Sequence, residues 1–351
     1  MVPLAAATAL RFEATPMTMR TTVPALLAAL LLLAQVPAAA TAPATAATAS
    51  DPDEDEPEPK PDAPWSLSLA TLVDQASTRG FSGELGRDLT PRTMLRVAAD
   101  STDYTSINEA GFKSQGFELG ALHKFERFSI QGAIGRWQDT DIVTAKEVKL
   151  GGDFHYEPWS VGLRAGYRHS DFDDFTSTAD VTLPDGTPVP AGTSSHCKLD
   201  NTAFGLVGRY AGSVWGGYAT AMSYKYKDSK CSFPESGSGA EVRVDRETLL
   251  ALSGGQLDRM SAVATRYIGR EQTLLASSFD AGASWKHGEL VVSLDYAHQK
   301  DYFVGASSNT YSATGTADLG DHAGIDCTLG LTRGAGVSSG GFVGFALRAR
   351  F

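Results

Sequence analysis

Beyond Ala34 the 351-residue chain has no apolar run long enough to cross a membrane as a helix, for which roughly 18 to 20 residues are needed. Helical spans are therefore excluded there, whereas strands are not. Cysteine is scarce: the three that occur, Cys197, Cys231 and Cys327, lack zinc-ligand spacing, so no metal is expected. Histidine is sparse and scattered, at 123, 155, 169, 196, 287, 298 and 322. None stands in a serine–histidine pattern suited to nucleophilic catalysis, and His169-Ser170 would put its side chains on opposite faces of a strand. No catalytic residue, enzyme activity or cofactor is expected. Positive charge is also deficient, since 41 acids face 30 Lys and Arg for a net charge of −11. That balance argues against nucleic acid as a partner.

At the N-terminus, Arg20 precedes a short apolar stretch over 23–34 and then Pro37-Ala38-Ala39-Ala40. These are the n-region, h-region and small-residue cleavage site of an export signal, and 1–40 is expected to be a signal peptide. Residues 41–64 follow as Ala, Thr, Pro and acid, with nothing apolar enough to pack, and are expected to form a disordered leader. The leader's seven acids against Lys60 account for −6 of the net charge. The signal region contributes +1, which leaves −6 for the remainder.

From residue 65 onward the dominant pattern has period two. Glu147, Lys149, Gly151, Asp153, His155 and Glu157 alternate with Val148, Leu150, Gly152, Phe154 and Tyr156. After Pro158, Trp159, Val161, Leu163, Ala165 and Tyr167 alternate with Ser160, Gly162, Arg164, Gly166 and Arg168. Such segments are strands with one polar and one apolar face. The pattern recurs over 214–227, 275–286 and 289–297, and the chain closes on Phe342-Val343-Gly344-Phe345-Ala346-Leu347-Arg348-Ala349-Arg350-Phe351. An alternating terminal segment ending in an aromatic residue, behind an export signal, resembles the Gram-negative outer-membrane β-barrels. The competing expectation is a soluble periplasmic β-sandwich, whose strands alternate as well.

The resemblance implies an all-β fold: one antiparallel transmembrane up-and-down barrel over 65–351, located in the bacterial outer membrane. About sixteen strands are expected, or fourteen with an N-terminal segment folded into the lumen. It implies contact with outer-membrane lipid. It also implies recognition by the barrel-assembly machinery, with Phe351 as the last residue of the assembly signal. Such barrels have short periplasmic turns and longer external loops. Counting back from Phe351, short turns are expected near Leu319, His287, Gly255, Gly212, Pro158, Glu126 and Pro91. Long external connections are expected over 334–341, 302–306, 229–240, 171–196, 139–143 and 104–113. The segment 242–268 alternates poorly. Phe125, Phe128, Tyr156, Trp159, Tyr210 and Trp285 fall on outward faces near the short turns, as an interfacial girdle requires. Tyr167, Tyr224 and Tyr226 would mark the outer rim.

The polar faces then line the lumen. The expected pore-lining residues are Lys149, Asp153, His155, Arg164, Arg168, Lys225, Lys227, Asp280, Asp295, Asp326, Arg348 and Arg350. Together they set an electrostatic profile, or else they neutralise one another as wall residues. The mildly acidic body weakly favours cations over anions. Cys197 and Cys231 reach the external end of one hairpin and are expected to form a disulfide in an oxidising compartment; Cys327 points to lipid. The acid-rich loop 171–196 is read as an inward constriction, a divalent-cation loop or a solvated surface loop. The expected function is a porin-like channel for small hydrophilic solutes. A non-transport barrel with a structural or adhesive role on its external loops stands beside it, and a polymer-export conduit after that.

Overall fold

The computed structural model describes residues 64–75, 78–104, 112–139, 142–233, 241–257, 274–320, 322–334 and 337–351. The expected signal peptide and nearly all of the expected leader lie outside them. The strands are β1 (Trp65–Asp74), β2 (Arg79–Thr90), β3 (Thr93–Tyr104), β4 (Phe112–Lys124), β5 (Phe128–Asp139), β6 (Val143–Tyr156) and β7 (Trp159–Thr176). They continue with β8 (Val181–Thr182), β9 (Pro188–Val189), β10 (Ser194–Ala211), β11 (Trp215–Tyr226), β12 (Ser229–Ser232) and β13 (Val242–Val244). After a short helix α1 (Arg246–Leu252) come β14 (Leu275–His287), β15 (Leu290–Asp301), β16 (Ser307–Asp318), β17 (Ala323–Gly334) and β18 (Val337–Arg350).

Each long strand pairs antiparallel with its neighbours, and the ring closes twice over. The last strand, β18, joins the first, β1, and β10 joins β11 from Asn201↔Tyr226 to Ala211↔Gly216. Strands β1 to β7, β10, β11 and β14 to β18 thus form a closed ring of fourteen, from which β12 and β13 extend beyond the top of β10. The expected count of sixteen is corrected to the fourteen-strand alternative. The N-terminal hairpin nevertheless belongs to the wall as β1 and β2, and does not enter the lumen.

The two surplus strands are those expected over 242–268, with a periplasmic turn at Gly255. Residues 242–257 pack instead at the external end. Asp245 caps α1 by accepting from Thr248 N at 2.8 Å, Glu247 lies in its first turn, and Leu249 and Leu252 are buried at helical spacing. A carboxylate at the N-cap satisfies an otherwise orphaned N–H, and apolar residues three apart share a helix face rather than alternate sides of a strand. Residues 258–273 lie outside the described set.

Short connections gather at one end of the ring: 91–92, 125–127, 157–158, 212–214, 288–289 and 319–322. Gly288 has φ 60° in the two-residue link between β14 and β15, a left-handed conformation that glycine enters without the Cβ clash. Trp65 and Phe351 meet at the same end through paired backbone bonds of 3.0 and 3.1 Å. The link between β17 and β18 is shorter than expected, and the connection 177–193 lies at the opposite end together with 227–233 and 241–257, the described parts of the link from β11 to β14.

The outer face is apolar and uncovered. Leu150 is 61% exposed, Leu163 66% and Phe204 59%, and Ile134, Leu206, Leu294, Leu329 and Leu347 are similarly open. Near the short turns this belt ends in aromatic side chains, including the stacked pair Phe125 and Phe128, Trp159 against Tyr210, and Trp215 opposite Trp285 in register. Leu163 lies midway between Trp159 and Tyr167, so Leu163→Arg should lower the unfolding free energy in lipid vesicles by about 2 to 4 kcal/mol. A lumen-facing Thr314→Lys should change it far less in the same unfolding titration.

Candidate functional site: the lumen and its external cap

The strand register sorts the expected pore-lining residues by face. Lys149, Asp153, His155, Arg164, Arg168, Asp280, Asp295, Asp326, Arg348 and Arg350 all fall on the inward rows. Lys225 and Lys227 do not. Tyr218, Thr220, Met222, Tyr224 and Tyr226 occupy the inward row of β11, with Thr220 opposite Asp280 and Tyr226 opposite Asn201. Lys225 is exposed on the outer face, and Lys227 follows it just beyond the strand. The expected rim role of Tyr224 and Tyr226 is corrected with it, while Tyr167 remains outward. Alternation shows which residues share a face but not which face is inside, and in β11 both faces carry polar and apolar groups. The hydrogen bond from Tyr218 Oη to Asp295 at 2.9 Å spans the inward rows of β11 and β15.

The inward charges are organised on one wall. Glu118 accepts from Arg96 at 2.7 Å and from Lys149 at 2.9 Å. Glu147 meets Lys149 at 3.0 Å and Arg168 at 2.8 Å. This chain of five groups crosses β3, β4, β6 and β7, stepping over Gly135 of β5, which lies opposite both Glu118 and Glu147 in register. A Cβ at Gly135 would come within 3.1 Å of Glu147 Cγ, so the missing side chain leaves room for the crossing. Below it, Arg164 donates to both oxygens of Asp153 at 2.8 and 2.9 Å, and Arg209 approaches the same carboxylate at 3.6 Å. His155 bonds the Ser129 hydroxyl at 3.0 Å.

The facing wall pairs hydroxyl groups beside the inward Asp295, Asp326 and Arg348. Thr310 meets Thr332 at 3.2 Å and Thr314 meets Thr328 at 2.9 Å. Arg348 binds Asp326 and Asp318, each at 3.2 Å, near the short-turn end. Between the ladder and the inward rows of β11, β14 and β15 lies a cavity of about 730 Å³. Its lining includes Arg96, Glu118, Gln131, Glu147, Lys149, Arg164 and Arg168 on one side, and Thr220, Met222, Tyr224, Ser278, Asp280 and Gln299 on the other. The paired ladder cancels most of its own charge, so the acidic excess of the whole chain is not carried into the cavity.

Above the cavity the inward rows of β5, β6, β7 and β10 become apolar: Trp137, Val143, Ala145, Phe172, Cys197 and Leu199 are buried. They are buried because the external segments fold onto them. Val181, Leu183 and Val189 of the β8–β9 hairpin, Val244, Leu249, Leu252 and Leu257 around α1, and Leu274 and Phe303 complete one cluster. Tyr226 stacks on Tyr302 at 3.8 Å along its flank. Loop 171–196 therefore packs into this cap together with 242–257. Asp180 accepts from Ala191 N and Asp185 from Thr187 N, each at 2.9 Å, whereas Asp171 lies 3.3 Å from His169 and Asp173 2.9 Å from His196. The Thr187 amide holds the Asp185 carboxyl below the usual carboxylate range.

Cys197 and Cys231 are opposite one another where β12 pairs with β10, 4.1 Å apart at Cα, with their sulfurs bonded across a separation of 34 residues. The bond ties the segment leading to α1 onto the barrel wall. Cys327 is unpaired and exposed on the outer face.

A closed antiparallel ring with an uncovered apolar belt, aromatic girdle and polar interior is the architecture of a bacterial outer-membrane β-barrel, porin-like in build. No family model matches the sequence, and no curated protein matches it. Among solved structures the chain is similar to the CymD monoaromatic hydrocarbon channel, at 10% identity over 82% of this chain and 88% of that one, with a TM-score of 0.48. It is similar to OccAB1 of Acinetobacter baumannii at 9% identity over 82% and 96%, TM-score 0.40, and to the KdgM porin at 9% over 82% and 99%, TM-score 0.36. Scores this low name no relative, and the class follows from the barrel's own geometry.

Mass spectrometry of a non-reduced digest should show the Cys197–Cys231 linkage. Reduction should speed proteolysis within 229–257 while the barrel stays resistant; two free thiols in the exported protein would remove the bridge from the cap.

Proposed function

We propose that this barrel is a channel for passive passage of small hydrophilic solutes, with the external cap governing access to its lumen. The observation that carries this reading is the cavity beneath the cap, bounded by the ion-paired ladder on one side and on the other by hydroxyl and amide groups beside Met222 and Asp280. Such a surface replaces the hydration of a polar solute without holding it by a large unpaired charge, which suits transit more than retention. The inward residues from Lys149 to Arg350 are proposed to act as an ensemble. Arg164 and Arg209 flank Asp153 and set the local sign near the lower end.

A second reading is favoured by the cap itself. A bridged apolar cluster filling the external end of one wall also suits a barrel whose external loops carry a structural or adhesive role. Single-channel recording of the refolded protein separates the two. Stepwise currents are expected, and Leu249→Asp combined with Leu252→Asp should raise the conducting fraction by loosening the cap. Arg164→Gln with Arg209→Gln should move the salt-gradient reversal potential towards cation selectivity. Silence from a folded, heat-modifiable barrel, with or without the cap substitutions, would support the display reading.

Phe351 is 60% exposed at the end of β18, and we assign it to recognition by the assembly machinery. Deleting it should lower the yield of folded barrel in the membrane and leave unitary currents of the assembled fraction unchanged.

A further inference from the structure

We propose that the outer face of β5, β6, β7, β10 and β11 carries a docking row for phosphorylated glycolipid headgroups of the outer leaflet. In register, Arg136 of β5 lies opposite Lys146 of β6, Lys146 opposite His169 of β7, and His169 opposite Asp200 of β10. Lys227 follows, its backbone N–H donating to the Asp200 carbonyl oxygen at 3.0 Å. All these side chains are on the outward face, because the same rows lower down carry Ile134, Val148 and Tyr167, which are exposed to the outside. Lys225 joins them opposite Thr202. One step further out, Lys198 lies opposite Lys230, and Lys230 opposite Arg243.

The height of the row matches a headgroup layer. Ten residues separate Trp159 of the lower girdle from His169. At about 3.3 Å per residue and a tilt near 40° that is roughly 25 Å, the height of the apolar band of such barrels. Five strands at a spacing of about 4.8 Å spread the row across roughly 20 Å of surface.

Charge complementarity identifies the occupant. Among the described residues, Arg136, Lys146 and Lys225 form no ion pair, and all three are exposed. Three nearby acids are engaged with other groups: Asp200 accepts from Tyr167 at 2.9 Å and contacts His169 at 2.7 Å, Asp171 contacts His169 at 3.3 Å, and Glu241 binds Lys198 at 3.0 Å. A chain with net charge −11 thus concentrates unbalanced cations where its apolar belt ends. Each Lys or Arg at an anionic lipid surface adds favourable electrostatic attraction, and guanidinium and ammonium groups are suited to phosphate oxygens. The row lies outside the lumen and makes no demand on whether the channel conducts.

The test compares binding of bisphosphorylated lipid A and of the same lipid after dephosphorylation to the folded protein in detergent, read by native mass spectrometry. Wild-type protein should retain the phosphorylated lipid about tenfold more strongly. Arg136→Gln, Lys146→Gln, Lys225→Gln and Lys227→Gln together should erase most of that preference while leaving heat-modifiable mobility intact. Equal retention of the two lipids by wild-type protein would overturn the proposal. So would an unchanged preference in the folded variant, or full displacement by inorganic phosphate at matched concentration. If the combined variant fails to fold, the wild-type comparison and the single variants Lys146→Gln and Lys225→Gln decide the matter.

Discussion

A polypeptide in lipid has no water to satisfy its backbone, and an unpartnered N–H or C=O there costs several kcal/mol. The ring closure between β1 and β18 answers that constraint for the two terminal strands, and the joining of β10 to β11 closes the other gap. Everything else depends on those ladders. Closure assigns each alternate side chain to lipid or lumen, and a shift of one residue in any strand would exchange the two sets.

The charged interior follows from the same geometry. Groups on neighbouring strands meet directly, but Lys149 and Glu118 are separated by a strand and still pair at 2.9 Å, because Gly135 leaves the intervening position open. An isolated charge on this wall would exert a field across the lumen. A chain of alternating charges largely confines its field to the wall and leaves a cavity faced by hydrogen-bonding groups. The outer surface shows the opposite arrangement: acids beside the Arg136–Lys146 row bond their own neighbours, so the cations there remain available to whatever lies above the apolar belt.

The external cap joins barrel and function. Its apolar cluster is formed by inward residues of four wall strands together with the β8–β9 hairpin and α1, so packing that orders the loops also narrows one side of the entrance. The bond between Cys197 and Cys231 holds β12 against β10 close to the start of this segment. Access and loop stability are therefore coupled through the same buried side chains, including Phe172, Leu249 and Phe303.

The sequence by itself determined the period-two strands, the short turns at all but one expected position, the lower aromatic girdle and the inward placement of ten of the twelve proposed lumen residues. Those features are local: alternation and turn chemistry are properties of consecutive residues. Poor alternation over 242–268 marked the weak point, and Asp245 before Leu249 and Leu252 was a legible helix signal that the strand count overrode. Other features had no local signal. The inward face of β11 became clear only when Thr220 was set opposite Asp280. The ladder depends on residues 21 to 31 positions apart meeting across strands. The strand number, the cap and the outward row of cations likewise arose only at closure, when each segment's partners became known and each face acquired a side of the membrane.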